Sequence, residues 1–239
     1  MLGAIINLFY PAVCRICSKK LEEFDRNICT NCSKELTERL PPFCLRCGRQ
    51  LKGDDELKTI CADCENDTPH FDRAWSACHY EGALKNLIHD FKYKKITSLS
   101  KDFAILTINF MKKYNIGKES QIILSVPMHP RKLFKREVNH ADILARTIGK
   151  GLGIAYSGSV LKKIKNTPPQ SKLKREDRIK NLQSSFSLKN SSLISGRNIL
   201  LVDDLFTTGS TVNECAMLLK NSGAGRVEVI TLARGDSTQ

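Results

Sequence analysis

The residues whose types and spacing could do chemistry fall into two groups, and the first is a set of cysteines. Eight of the ten cysteines lie between positions 14 and 64 as four C-x2-C pairs: Cys14 and Cys17, Cys29 and Cys32, Cys44 and Cys47, Cys61 and Cys64. Two thiolates so spaced on a tight turn point at one ion, and a second such turn completes a tetrahedral zinc site. Four pairs therefore predict two zinc ions. Consecutive pairing (Cys14, Cys17, Cys29, Cys32, then Cys44, Cys47, Cys61, Cys64) is expected, because short loops close at low entropic cost; interleaved pairing is the alternative. A closed four-thiolate site leaves no open position for catalysis, so both ions are read as structural. The segment has few large apolar residues and is expected to unfold without metal. A disulfide framework needs an oxidising compartment, and iron–sulfur runs of the bacterial ferredoxin kind are packed closer together. Cys78 and Cys215 stand alone and are read as small buried residues.

The second group is VDDLFTTGST, Val202 to Thr211. A hydrophobic strand delivers two adjacent carboxylates, Asp203 and Asp204, to its C-terminal end, the edge at which open α/β sheets bind ligands. Thr207, Thr208, Gly209, Ser210 and Thr211 then offer hydroxyls and backbone N–H groups to a phosphate at the start of a helix, where the dipole favours negative charge. The carboxylates suit paired ribose hydroxyls, or a divalent ion reached through a sugar. No G-x-x-x-x-G-K-[ST] occurs, and GKGLG (149–153) does not follow a strand, so neither a P-loop nor a dinucleotide fingerprint is present. The plain alternative is an ordinary strand–turn–helix with a capping hydroxyl.

The elements that must hold these groups are legible from periodicity. DRAWSACHYE reads as a strand, as do QIILSVP (121–127), NILLVDD (198–204) and RVEVITLA (226–233). Helical spacing marks Leu84, Leu87, Ile88 and Phe91; Leu99, Phe103, Leu106 and Phe110; Ala141, Leu144, Ala145, Ile148 and Leu152; and Val212, Cys215, Ala216 and Leu219, stopped by Gly223. Residues 162–181 show no period and are expected to form a basic loop. Strands alternating with helices predict an α/β fold with a mostly parallel sheet. The composition shift near Phe71 divides the chain into 1–70, a cysteine module preceded by a short helix ending at Pro11 with Ile5, Leu8 and Phe9 packed inward, and 71–239. The opening MLGAIINLFYPAV is too short to span a bilayer and lacks a basic n-region, so neither a transmembrane segment nor a signal peptide is expected.

The formal net charge is 38 − 25 = +13. Residues 1–70 hold 10 Lys+Arg and 11 Asp+Glu, so the excess lies in 71–239. Such a field attracts anions: phosphates, nucleic acid or acidic lipid. Residues 85–118 and 162–180 carry +6 each, and 131–150 adds +4. The block at 85–118 is the expected place for nucleic-acid contacts. Lys92 and Lys94 there could meet phosphate or form a solvated helix end. Aromatic residues are sparse for a single-strand stacking platform.

VDDLFTTGST resembles the phosphoribosyl-pyrophosphate (PRPP) motif of type I phosphoribosyltransferases. With the four C-x2-C pairs, nearly the whole chain resembles the ComF family of bacterial competence proteins, which join an N-terminal double zinc ribbon to a phosphoribosyltransferase domain. VPMHPRKLFKREVNHADILA (126–145), LKNLIHDFKYKK (84–95) and the pattern of Thr167, Gln170, Leu173, Arg178, Asn181 and Phe186 support the likeness. One stretch departs from it. The family's Arg-Gly-Phe-Asn-Gln is replaced by Arg136, Glu137, Val138, Asn139 and His140, which predicts an altered loop and adds a negative charge.

The resemblance implies a type I phosphoribosyltransferase fold over 71–239, preceded by a small double zinc-ribbon module. It implies PRPP bound with magnesium, Asp203 and Asp204 on the ribose, and Thr207 to Thr211 on the 5′-phosphate. His129, Arg131, Lys132 and Arg136 would face the pyrophosphate, and Arg175 and Arg178 would lie on a lid. His129 is read as a hydrogen-bonding loop residue, and His140 as a helix surface residue. The implied role is DNA uptake in natural transformation, with phosphoribosyl transfer to an acceptor. The alternative is a non-catalytic protein that handles single-stranded DNA, or docks an uptake helicase or other competence protein, with PRPP as effector. The expected location is the cytoplasm, extending to the inner face of the membrane.

Overall fold

The computed structural model describes residues 12–23, 25–36, 38–51, 59–166 and 185–235. The predicted N-terminal helix lies outside these residues. Within the cysteine module, α1 (Thr30–Glu35) and α2 (Ala62–Asn66) each follow the third cysteine of a set. The rest runs β1 (Arg73–His79), α3 (Gly82–Tyr93), α4 (Leu99–Lys113), β2 (Ile122–Ser125), α5 (Pro130–Arg136), α6 (His140–Leu152), β3 (Leu161–Lys163), β4 (Phe186–Leu188), β5 (Ile199–Phe206), α7 (Ser210–Asn221) and β6 (Val227–Arg234).

Four strands form one sheet in the order β1–β6–β5–β2, every pair parallel. The near-continuous apolar runs of β5 and β6 suit strands covered on both faces. Alternation divides them: Leu200, Val202, Ile230 and Leu232 enter one core, and Ile199, Leu201, Val227 and Val229 the other. The first core is completed by Leu84, Phe91, Phe103, Leu144 and Ile148 from α3, α4 and α6. The second is completed by Val212, Cys215 and Leu219 of α7 and by Leu161 and Phe186 of an antiparallel β3–β4 hairpin. Each large side chain so buried contributes about 1.5–3 kcal/mol. Cys78 and Cys215 are small buried core residues, as expected.

Three expectations need correction. The basic loop does not begin at 162, because Lys162 and Lys163 pair with Ser187 and Phe186 as strand; residues 167–181 of that loop lie outside the described residues. Asp203 and Asp204 do not end β5, which continues through Leu205 to Phe206 by pairing with Ala233 and Arg234. His140 is not a surface residue. It is fully buried, edge-on to Phe91 with ring centroids 4.6 Å apart. It lies four and eight residues before Leu144 and Ile148, on the buried stripe of α6. Among the described residues, no helix is long and apolar enough to cross a membrane.

Candidate functional site

The cysteines assemble in the consecutive arrangement. Cys14, Cys17, Cys29 and Cys32 form one cluster and Cys44, Cys47, Cys61 and Cys64 another, with all sulfurs of a set within 4.8 Å of one another. Bonds of about 2.3 Å to a tetrahedral zinc place sulfurs about 3.8 Å apart; Cys17 and Cys29 are at 3.8 Å, and Cys47 and Cys61 at 3.6 Å. The third cysteine's N–H points at the first cysteine's sulfur in both sets, at 3.4 Å (Cys29 to Cys14, Cys61 to Cys44), which suits thiolate acceptors. Both sets fit structural zinc.

The two knuckles repeat each other 30 residues apart. Cys14 N–H donates to the Lys19 carbonyl and Cys44 N–H to that of Arg49, at 2.8 and 2.7 Å. Val13 bridges Lys20 as Phe43 bridges Gln50. Ser18 and Gly48 occupy the same position, both left-handed, at φ 59° and 66°.

The carboxylate loop sits at the C-terminal edge of the sheet. Asp203 Oδ1 accepts the N–H of Asp204 at 2.8 Å. Lys92 Nζ, from the last turn of α3, donates to Asp204 Oδ1 at 2.8 Å. Burial, reinforced by the Asp204 charge, pushes the Asp203 carboxyl up to about 7. Burial opposes the charge of Lys92, but Asp204 and then Asp203 lift the ammonium above its ordinary range. Lys92 is thus neither a free phosphate ligand nor a solvated helix end, because its largely buried ammonium is paired with Asp204. Lys94 is the more exposed of the two and pairs with Asp90.

Gly209 caps α7 at φ +79°, and a Cβ there would meet the Phe206 ring at 2.6 Å. Only glycine satisfies both the conformation and the close approach. Thr208 and Ser210 share a hydroxyl hydrogen bond of 2.8 Å, Thr208 Oγ1 also accepts the Ser210 N–H at 3.4 Å, and Gly209 at the N-cap has no side chain to add. The first N–H groups of the helix are the anion-binding kind. Thr207 and Thr211 flank this turn, both half-buried.

The other site residues scatter more. The loop after β2 places His129 at the N-cap of α5, its Nδ1 accepting the Arg131 N–H at 3.2 Å. Arg131 is exposed and Lys132 half-buried; the Arg136 side chain, Arg175 and Arg178 lie outside the described residues. Lys163 lies over the Phe186 ring, 5.1 Å from its centroid. Burial and then the Lys132 charge lower its pKa, while Asp203 opposes them. Burial, then Asp203, raises the Cys215 thiol well above its usual range. Glu137, expected to alter the loop, sits at φ +67° as the C-cap of α5, the conformation a glycine would supply. Lys95 pairs with it and takes up its charge.

The basic block at 85–118 is largely consumed inside the molecule. Lys92, Lys94, Lys95, Lys101 and Lys113 pair with Asp204, Asp90, Glu137, Asp25 and Glu38. Only the Lys94–Asp90 pair, four positions apart on one helix, has a local signal in the sequence; the other four partners lie more than 40 positions away.

Comparison with known proteins agrees with both halves. The double zinc ribbon domain family matches residues 5–65, and the phosphoribosyl transferase domain family matches 138–239. Competence protein F of Haemophilus influenzae is 32% identical over 178 residues, 73% of this chain and 78% of that protein. The DNA utilization protein YhgH of Salmonella typhimurium is 30% identical over 177 residues, 73% of this chain and 77% of its own. Competence protein ComFC of Streptococcus pneumoniae is 29% identical over 189 residues, 75% and 77% of the two chains. Among solved structures, an adenine phosphoribosyltransferase from Thermoanaerobacter pseudethanolicus overlaps 56% of this chain and 81% of its own at a TM-score of 0.35 and 16% identity.

Proposed function

The chain belongs to the competence protein F family, which joins a double zinc ribbon to a phosphoribosyl transferase domain, and on that premise we propose that its Asp203–Thr211 segment binds PRPP and passes the phosphoribosyl group to an acceptor during the handling of DNA. The observation that carries this reading is the juxtaposition of a half-buried carboxylate pair with a glycine-started helix at one sheet edge. The 5′-phosphate accepts the N–H groups and hydroxyls of Thr207 to Thr211. The ribose hydroxyls donate to Asp203 and Asp204, and Lys92 holds Asp204 turned to one side through its 2.8 Å contact with Oδ1. Magnesium bound to the pyrophosphate supplies charge neutralisation at the leaving group. Lys132 and Lys163 extend toward the same region and favour the negative charge that develops there. Arg131, Arg136, Arg175 and Arg178 belong to the same proposal as further cations for the pyrophosphate. The 1–70 and 71–239 division is carried forward as the domain boundary, with action on the cytoplasmic side, where thiolates stay reduced for zinc.

Isothermal titration with PRPP and magnesium tests this. Wild type should bind, and Asp203→Asn with Asp204→Asn should abolish binding; equal affinity in the double variant rejects the assignment. Asp203 adds a pH signature. Its folded pKa, about 7, lies above the ordinary carboxyl value of 3.8, so the folded state holds a proton that the unfolded state has lost between those values. Stability therefore falls as pH rises from about 4 to 7 and levels off above. Asp203→Asn should lack this fall and be more stable than wild type at pH 8 but not at pH 4; parallel melting curves across that range would contradict it.

One observation favours a second role in single-strand handling. Phe134 on α5 is 90% exposed, within the basic run 131–136, and an exposed ring among cations suits base stacking. A salt-dependent gel shift with single-stranded DNA that weakens in Phe134→Ala supports it; an unchanged shift removes it.

A further inference from the structure

Arg234 ends β6 at 3% exposure, a costly place for a guanidinium without partners. Its Nη1 donates to the Cys47 carbonyl at 2.8 Å, and its Nη2 reaches the Cys47 sulfur at 3.8 Å. The guanidinium also lies 4.3 Å from the centroid of the Phe206 ring. That ring is the surface against which Gly209 rests, as the 2.6 Å approach of a hypothetical Cβ shows. The backbone braces the same point: Arg234 pairs in register with Phe206, and Gly235 N–H donates to the Phe206 carbonyl at 3.0 Å. One side chain therefore touches a zinc ligand on one side and the support of the hydroxyl loop on the other.

We propose that Arg234 is a positioning residue that links the second zinc knuckle to the phosphate-binding turn, so that metal held by Cys44, Cys47, Cys61 and Cys64 keeps Gly209 and the start of α7 in their binding geometry. The ligand side of this proposal rests on the PRPP reading above. The physical basis is charge and packing. Four thiolates around one divalent ion carry a formal charge of roughly −2, which offsets the buried guanidinium. With the metal in place, Cys47 fixes the fork of Arg234, and the fork holds the Phe206 ring by a cation–π contact. Loss of the metal frees Cys47, the fork loses its anchor, and the ring under Gly209 gains room to move. Among the described residues the first ribbon has no comparable route, because its ligands join the core on the other face of the sheet. Coupling between two sites is reciprocal, so an anion at the turn should in return retain the second metal.

The test uses the full zinc-loaded chain and hydrogen exchange of residues 206–212, which needs no ligand. Arg234→Lys keeps a cation but loses the fork. It should speed exchange of this segment on the order of tenfold and hasten metal release from the second knuckle, with α4 exchange unchanged as evidence of an intact fold. Phe206→Leu should speed the same exchange without hastening metal release, which places the ring downstream of Arg234. Cys17→Ser, which disturbs the first site alone, should leave the segment as in wild type. Unaltered exchange at 206–212 in Arg234→Lys, or an equal rise in Cys17→Ser, overturns the proposal. Titration with PRPP and magnesium separates the two readings. Wild type that fails to bind while the exchange responds removes the ligand and keeps the Arg234 link; binding without an exchange response removes the link and keeps the ligand.

Discussion

The two zinc ribbons share a backbone and differ in how they are tied to the sheet. The first is held by side chains. Asp102 of α4, fully buried, accepts from Arg26 Nε at 2.6 Å, from the Asn27 N–H at 2.9 Å and from Asn27 Nδ2 at 3.0 Å. Its core contacts are with the helical face that carries Phe91 and Phe103. The second is reached by the Arg39 and Arg234 side chains at the Gly48 and Cys47 carbonyls, and it adds close main-chain contact that the first lacks among the described residues. Ala74 N–H of β1 donates to the Arg46 carbonyl at 2.7 Å, and Gly48 presses so closely on Ala74 that a Cβ would lie 2.3 Å from its carbonyl oxygen. Its four sulfurs belong to the opposite core, and all four cysteines are buried, whereas Cys17 and Cys29 of the first site stay open to solvent. A duplicated element has therefore been fixed by two kinds of contact. Side-chain contacts demand particular residues on the partner. Main-chain contacts demand almost no partner chemistry but allow no bulk, which is why the shared turn position is glycine in one ribbon and serine in the other.

Metal removal should separate the two most strongly, since structural zinc is coupled to folding itself. A chelator should draw zinc in two phases, two ions per chain in total, the open first site before the buried second. Sheet circular dichroism should fall with the second phase. A single phase, or sheet loss in the first, would mean that the ribbons are not independently anchored. Gly48→Ala combines a left-handed φ with a collision on backbone and should cost about 4 kcal/mol; a cost below about 1 kcal/mol in denaturant melts would show that the contact yields. Asp102→Ala strands Arg26 and the Asn27 amides and should cost about 3 kcal/mol. It should also expose the first site, so that zinc leaves its four thiols faster while the second site is unmoved; acceleration at both sites would undo the distinction. Ser18→Gly, at the place equivalent to Gly48 but without its crowding, relieves a left-handed residue and should gain about 0.5 kcal/mol. Destabilisation there would imply a role for the Ser18 side chain that its position does not suggest.

Much of this was legible before any coordinates. Ligand type and spacing chose the zinc sets, because four thiolates on two short turns admit few arrangements. The strand–carboxylate–hydroxyl order placed Asp203 through Thr211 at a helix start. His140 was missed although its i+4 relation to Leu144 and Ile148 signalled burial; its polar ring outweighed the period. The 30-residue repeat was visible only as cysteine spacing, since Ser18 and Gly48 share a backbone angle and not a side chain.

By itself the sequence determined what depends on near neighbours: the two tetrathiolate sets, the alternation of strand and helix, and the turn that only glycine permits at 209. The tertiary structure alone decided which distant charges meet. Lys92 finds Asp204 across 112 positions, and Arg234 reaches Cys47 across 187. In the basic block at 85–118, Lys92, Lys95, Lys101 and Lys113 all find such remote partners. The physical reason is that local spacing restricts only residues within a few turns of each other. The pairing of remote ions depends on which helix packs against which sheet edge, and no local pattern records that.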